Sequence, residues 1–231
     1  MNMSQIGKAI QDIKKNIQEA QKSPFAAKEV LLLAVTKTVD PLRINEAVAW
    51  GITAVGENRV QELQKKFDQV EKNVKWHLIG HLQTNKVKYI IDKVALIHSL
   101  DSVSLAKEIN KRAGQIGRRM PVLVQVNVAD EETKFGIAPE ETIDFIKEVS
   151  VMPNIHIQGL MTIGPLVSEP EEVRPVFRRL RELRDEVSSQ GFPGVEMNYL
   201  SMGMTNDYLV AIEEGANIIR VGSAIFGQRS V

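Results

Sequence analysis

Two features of this sequence supply chemistry that a plain folding domain does not need. The first is an amine. The apolar run 31–35 is followed by Thr36 and then Lys37. A lysine placed directly after a strand has two readings. In one it is an ordinary surface lysine whose stem lies along the rim of the sheet. In the other it sits partly desolvated in a mouth, where the loss of water lowers its pKa and leaves a neutral amine able to attack an aldehyde. The second feature is a pair of short loops, Ser201-Met202-Gly203-Met204-Thr205-Asn206-Asp207 and Arg220-Val221-Gly222-Ser223. Glycine lets a backbone approach an anion, Ser201 and Thr205 offer hydroxyls, and Ser223 opens a short helical turn, a place where free backbone N–H groups attract phosphate. The plainer reading is that Thr205, Asn206 or Asp207 caps the next helix and Ser223 the last turn.

Other polar positions carry weaker signals. Gly56-Glu57-Asn58-Arg59 reads either as a polar helix start, with Glu57 and Asn58 satisfying backbone N–H groups, or as a loop that aims Asn58 at a ligand oxygen. His77 and His81 are four apart, which would suggest a metal on a helix. They fall instead on a strand and its following loop, without the glutamate of a metalloprotease motif. No metal site is expected, and His81 is left as a mouth residue within reach of a ligand. Lys134 is a second candidate amine, but Asp130, Glu131 and Glu132 beside it favour its charged form and make it the poorer nucleophile.

These residues matter only if the fold brings them together. Short β-branched or leucine-rich runs occupy 31–35, 52–55, 76–79, 94–97, 122–126, 155–160, 197–200 and 218–221, separated by stretches of helical period. Eight regular βα units predict a closed (β/α)8 TIM barrel, an α/β fold of one domain over residues 1–231, in preference to an open doubly wound sheet. Ile6, Ile10, Ile13 and Ile17 fall on one stripe and predict an extra N-terminal helix. Over 171–189, Val173, Val176, Phe177, Leu180, Leu183 and Val187 form an apolar face, and the arginines opposite are mixed with carboxylates as on a solvated surface. In such a barrel, chemistry gathers at the carboxyl ends of the strands and phosphate binds after strands 7 and 8. Strands 8 and 1 are neighbours, so amine and cradle face one pocket. A phosphorylated aldehyde fits it, and pyridoxal phosphate and some sugar phosphates both qualify.

Composition narrows the classes. Lys+Arg and Asp+Glu both total 29, so nothing in the net charge argues for nucleic acid or an anionic membrane. There is no cysteine, which removes disulfides, thiolate catalysis and cysteine metal sites. The longest apolar block, 30–35, is far short of the roughly 20 residues of a membrane span, and the N-terminus has no run of signal-peptide type. The expectation is a cytoplasmic protein.

Six ordered motifs resemble those of the pyridoxal phosphate homeostasis proteins, small barrels related to the N-terminal domain of bacterial alanine racemase. They stand here as Ala34-Val35-Thr36-Lys37, Gly56-Glu57-Asn58-Arg59-Val60-Gln61-Glu62, His77-Leu78-Ile79-Gly80-His81-Leu82-Gln83-Thr84-Asn85-Lys86, Gly159-Leu160-Met161-Thr162, Leu200-Ser201-Met202-Gly203-Met204-Thr205 and Arg220-Val221-Gly222. The match runs from Leu31 to Gly227. The resemblance implies that Lys37 holds pyridoxal 5′-phosphate as a Schiff base. It implies that Ser201, Gly203 and Thr205 bind the phosphate and that Arg220 and Gly222 complete the site, with Arg220 either at the phosphate or by the ring nitrogen. Asn58 is placed near the ring and its phenolic oxygen, and Met161 along the pocket wall. Members of the family bind the cofactor, are thought to buffer or deliver it, and influence amino-acid and keto-acid balance. Apo forms of enzymes that use the cofactor are the partners this implies.

The competing class is a cofactor-dependent racemase, which needs an acid/base on each face of its substrate. In racemases of this type the second base is usually a tyrosine from a C-terminal β-domain across a dimer interface. The chain ends soon after strand 8, so that domain is expected to be absent and the protein to be a monomer. Of Tyr89, Tyr199 and Tyr208, none lies in an obvious mouth loop. Without a second base, two-sided proton transfer loses on the order of 10²–10⁴-fold. A carrier without turnover is expected. A Schiff-base aldolase acting on a sugar phosphate shares the amine and the cradle but not the motifs.

Overall fold

The computed structural model describes residues 4–131 and 134–227. Eight parallel strands close into a barrel in sequence order: β1 (Leu31–Val35), β2 (Ala54–Glu57), β3 (Lys75–Leu78), β4 (Val94–Leu100), β5 (Met120–Gln125), β6 (Ile155–Met161), β7 (Val195–Ser201) and β8 (Ile218–Val221). The (β/α)8 expectation is met. The ring closes where β8 pairs with β1, with Leu33 opposite Arg220 and Ala34 opposite Val221. β1 and β8 have the bounds read from the sequence. β2 lies two residues later than read, because Glu57, polar and so assigned to a loop, is a fully buried strand residue.

Side-chain parity sorts the residues. Leu33, Ala54, Leu96, Leu123, Met161 and Ile218 pack together inside the barrel, joined by the partly buried Leu31, Val35 and Tyr199. Leu32, Ala34, Val55 and Leu78 belong to the larger core between the strands and the surrounding helices.

The helical layer starts with α1 (Gln5–Ala20), capped by Ser4, whose hydroxyl accepts from Gly7 N–H at 3.1 Å. Its stripe Ile6, Ile10, Ile13 and Ile17 is buried as expected, each side chain contributing roughly 1.5–3 kcal/mol by leaving water. α2 (Pro41–Ala49), α3 (Val60–Lys66), α4 (Val103–Gln115), α5 (Thr142–Ser150), α6 (Arg174–Ser189), α7 (Tyr208–Glu213) and α8 (Ser223–Phe226) follow, with a 3-10 helix (Thr84–Tyr89) between β3 and β4. On α6 the arginines are more than a solvated face. Arg174, Arg178 and Arg181 all reach Glu214, which is buried just beyond α7. They pin α6 to the segment that carries β8.

Candidate functional site

Lys37 emerges two residues after Val35 and four after Leu33, both interior residues, at the carboxyl end of β1, and is partly buried. Its neighbours hold the backbone still. Thr36 is fully buried and turned outward: its hydroxyl donates to Glu57 Oε1 at 2.9 Å, and its carbonyl accepts from Lys66 Nζ at 2.8 Å. Thr38 is left-handed, with φ 63°, and its N–H donates to Glu62 Oε2 at 2.8 Å. Glu57 therefore does not cap α3, as one reading of the sequence had it. The cap position is Arg59, and it makes no side-chain cap bond.

The cradle stands beside the amine. Gly222 follows β8 directly against β1, so close that a Cβ there would lie 3.3 Å from Val35 Cβ and 3.4 Å from its carbonyl oxygen. Gly203 takes φ 91°, and a Cβ would sit 2.6 Å from Ala211 Cβ, so only glycine fits. Its carbonyl accepts from Arg220 N–H at 2.9 Å, tying the loops after β7 and β8 together. At the rim Ser223 Oγ donates to Thr205 Oγ1 at 3.1 Å. The capping readings fall away: Asp207 precedes α7 without capping it and accepts from Met204 N–H instead, while Ser223 is the first residue of α8 rather than its cap.

Ser201 and Arg220 lie deeper. Arg220 is buried inside the barrel, donating to Ser201 Oγ at 2.7 Å and to Thr162 carbonyl oxygen at 2.8 Å. Ser201 Oγ also bonds His98 Nδ1 at 2.9 Å, and His98 Nε2 bonds His77 Nδ1 at 2.9 Å. This chain crosses the interior from β8 through β7 and β4 to β3. Burial lowers the His77 pKa to about 4 and the His98 pKa well below its usual value, aided by Lys75 in the first case and by His77 and Arg220 in the second, so both rings are neutral near pH 7. Burial also lowers Arg220 to about 10, opposed by Asp207. The guanidinium stays charged, and among the described residues no carboxylate touches it.

The remaining candidates are less concentrated. Met161 is fully buried in the interior cluster, one residue before Thr162. Asn58 and His81 line a cavity of about 530 Å³ beside the mouth with Arg59, Lys65 and Lys86. His81 bonds Asp101 Oδ2 at 3.0 Å and stacks on Phe135 with ring centroids 3.8 Å apart, and neither contact belongs to the cradle loops. Lys134 pairs with Glu131 and donates to Gly164 carbonyl oxygen at 3.1 Å; of its expected acidic neighbours, Glu132 lies outside the described residues. No group able to hold a metal ion occurs among the described residues. Three participants escaped the sequence reading: His98, Glu62 and Lys66. His98 shares the parity of Leu96 after the apolar run 94–97, and Lys66 continues the buried stripe Val60, Leu63, so each breaks a pattern at a position where burial is due.

Fold and site together define a barrel of the alanine racemase N-terminal type. A family model described as alanine racemase, N-terminal domain, matches residues 9–230. The pyridoxal phosphate homeostasis protein of Aquifex aeolicus is 46% identical over 225 residues, covering 97% of this chain and 96% of that one. The human protein of the same name is 34% identical over 238 residues, covering 97% and 86%. The chain belongs to the pyridoxal phosphate homeostasis protein family. Among solved structures, PipY of Synechococcus elongatus with pyridoxal phosphate bound superposes with a TM-score of 0.84 at 32% identity, over 96% of this chain and all (100%) of that one. A Clostridium difficile alanine racemase superposes with a TM-score of 0.74 at 15% identity, over 97% of this chain but 57% of its own, a likeness of fold alone.

Proposed function

We propose that this chain is a pyridoxal phosphate carrier that holds the cofactor as a Schiff base on Lys37 and buffers or delivers it. The observation that carries the reading is the seating of Gly222 against Val35, which sets a glycine-rich, hydroxyl-bearing cradle next to the strand that presents the amine. The side chains suit the cofactor. Gly203, Thr205 and Gly222 would hold the phosphate. Arg220, a cation inside the barrel that no carboxylate contacts among the described residues, would lie by the ring rather than at the phosphate, because its guanidinium is bonded below the cradle to Ser201 and Thr162. Met161 would wall the ring, and Asn58 and His81 would stand on the side of β2 and β3. Bound pyridoxal phosphate supplies an aldehyde that condenses with an amine, releasing water, in a bond that a second amine can reverse.

The placement of the tyrosines favours a carrier over a racemase. Tyr208 accepts a hydrogen bond from Asn16 Nδ2 at 3.0 Å, Tyr199 packs in the interior cluster, and Tyr89 stands exposed on the 3-10 helix. None is offered as a second base opposite Lys37. Among the described residues no helix is long and apolar enough to cross a membrane. We place the carrier in the cytoplasm as a monomer that hands its cofactor to apo enzymes.

The test is to incubate wild type and Lys37→Ala with pyridoxal phosphate, desalt, record the visible spectrum, then reduce with borohydride and measure the mass. Wild type should retain the absorbance and gain, on the peptide containing Lys37, the mass of one cofactor less the water lost in condensation plus the two hydrogens of the reduction, and the variant should show neither. An unlabelled wild type would refute the reading. Lys37-dependent racemisation faster than about 1 s⁻¹, the low end of ordinary enzymes, would replace it with the racemase.

A further inference from the structure

We propose that Glu57, Glu62 and Lys66 are positioning residues for Lys37, forming a partly buried ionic clamp on the two peptide groups that flank it. The inference rests on the proposed role of Lys37 and adds what aims it. Lys66 Nζ has three protons to donate and three acceptors around it: Thr36 carbonyl oxygen at 2.8 Å, Glu57 Oε1 at 2.7 Å and Glu62 Oε2 at 3.1 Å. Glu57 Oε1 takes the Thr36 hydroxyl at 2.9 Å, and Glu62 Oε2 takes the Thr38 N–H at 2.8 Å. The residue before Lys37 is thus gripped through its carbonyl and hydroxyl, and the residue after it through its amide.

That grip has a conformational consequence. Thr38 has φ 63°, a region that β-branched residues avoid because Cβ crowds the backbone. Such a conformation persists only where the surroundings impose it, and the bond to Glu62 is the one that reaches its amide. Released, Thr38 would relax toward negative φ, and the direction in which the chain leaves β1 would change together with the path of the Lys37 stem.

The cost of the clamp also points to position rather than to stability. Glu57 is fully buried, its second oxygen has no hydrogen-bond partner, and burial raises its pKa against the pull of Lys66 and Thr36. For Glu62 burial also acts upward, but the Thr38 N–H and Lys66 outweigh it and the net shift is down. An apolar trio would hold α3 on the barrel at least as well as two carboxylates and an ammonium, but it could not bond the 36 carbonyl and the 38 amide. Lys66 itself is no rival amine, because all three of its protons are engaged.

The clamp can be broken at Glu62 and repaired at Thr38. Glu62→Leu removes the acceptor, Glu62→Gln keeps one, and Thr38→Gly in the Glu62→Leu background lets the backbone take positive φ unaided. Two readouts are needed. One is hydrogen exchange of the Thr38 amide in protein never exposed to cofactor. The other is the rate of borohydride-trappable attachment of pyridoxal phosphate to Lys37. Glu62→Leu should lose Thr38 amide protection and slow attachment at least about tenfold, since small displacements of a reacting group cost one to two orders of magnitude. Glu62→Gln should stay near wild type, and the Thr38→Gly double variant should recover most of the rate. An unchanged attachment rate in Glu62→Leu, or an unprotected Thr38 amide in wild type, would overturn the clamp and leave the carrier reading standing. So would a slowed rate that tracks a lowered Tm and that Thr38→Gly does not recover. A wild type that never labels at Lys37 would overturn both.

Discussion

Two polar networks lie on either side of the barrel wall, and they are built on opposite principles. The inner one runs His77, His98, Ser201, Arg220 and carries a single charge, because burial keeps both imidazoles neutral. The outer one, between strands and α3, packs Glu57, Glu62 and Lys66 around the backbone of residues 36 and 38, with its charges in contact. In the inner network a lone cation is held by neutral dipoles, leaving its charge available to a ligand. In the outer network each charge is spent on another charge or on the main chain. The inner set suits a group that must respond to a ligand's electrons, and the outer set one that must not move.

The sharpest way to break this contrast is to remove one cation from each. Lys66→Met strands Glu57 in a fully buried site and leaves Glu62 without its cation, which should cost on the order of 3–5 kcal/mol. The same change of side chain at Arg220→Met removes a buried charge that, among the described residues, no carboxylate contacts. The Thr162 carbonyl loses a donor but the desolvation of a guanidinium is relieved, so stability should stay within about 2 kcal/mol of wild type while cofactor retention falls. Urea denaturation at pH 7 reads both. The sign at lower pH sharpens the test. With Lys66 gone, Glu57 is held further above its ordinary value, so the folded variant keeps a proton that the unfolded chain gives up near pH 4.5. Its deficit should therefore grow as pH rises above that value and shrink on acidification. An Arg220→Met protein less stable than Lys66→Met would erase the distinction.

The same contrast explains what could be read from the sequence. The eight apolar runs gave the barrel, and the bounds of β1 and β8 came out to the residue because apolar side chains fill both ends of each run. Lys37, Gly203, Gly222 and Arg220 stood out as polar or glycine residues at strand ends, where chemistry sits in such folds. The networks did not stand out, because which buried polar residues meet one another is decided by the fold and not by the burial pattern of each run. Glu57 reads as loop because nothing near it in the chain announces Lys66 nine residues on, folded back over β2. His98 meets Ser201 across 103 positions, a pairing set by barrel closure and written in no local pattern. Ser201 shows the same limit: its type suggests a phosphate ligand, while its bonds to Arg220 and His98 follow from no local spacing.

The smaller expected effect belongs to the inner network and to pH. His77 titrates near 4 in the folded protein and about 6.5 when unfolded, and His98 is shifted in the same direction. Both are folded-state depressions, so their stability is fully present above pH 6.5 and is lost as pH falls toward the folded values, because the unfolded chain binds protons that the barrel cannot. For His77 alone a shift of that size corresponds to roughly 3 kcal/mol between pH 7 and pH 4. Glu57, raised by burial, acts in the opposite sense from about 4.5 up through its folded value, but it is one group against two histidines, so the histidine limb should dominate between pH 6.5 and 5. Stability measured by urea at half-unit steps should decline across that interval in wild type. The slope should flatten in a His77→Gln, His98→Gln double variant, whatever that variant's absolute stability. A wild type whose stability is level from pH 7 to pH 5 would mean that the buried imidazoles take up protons over the same range as in the unfolded chain. The contrast between a single-charge interior and a charge-paired exterior would then be lost.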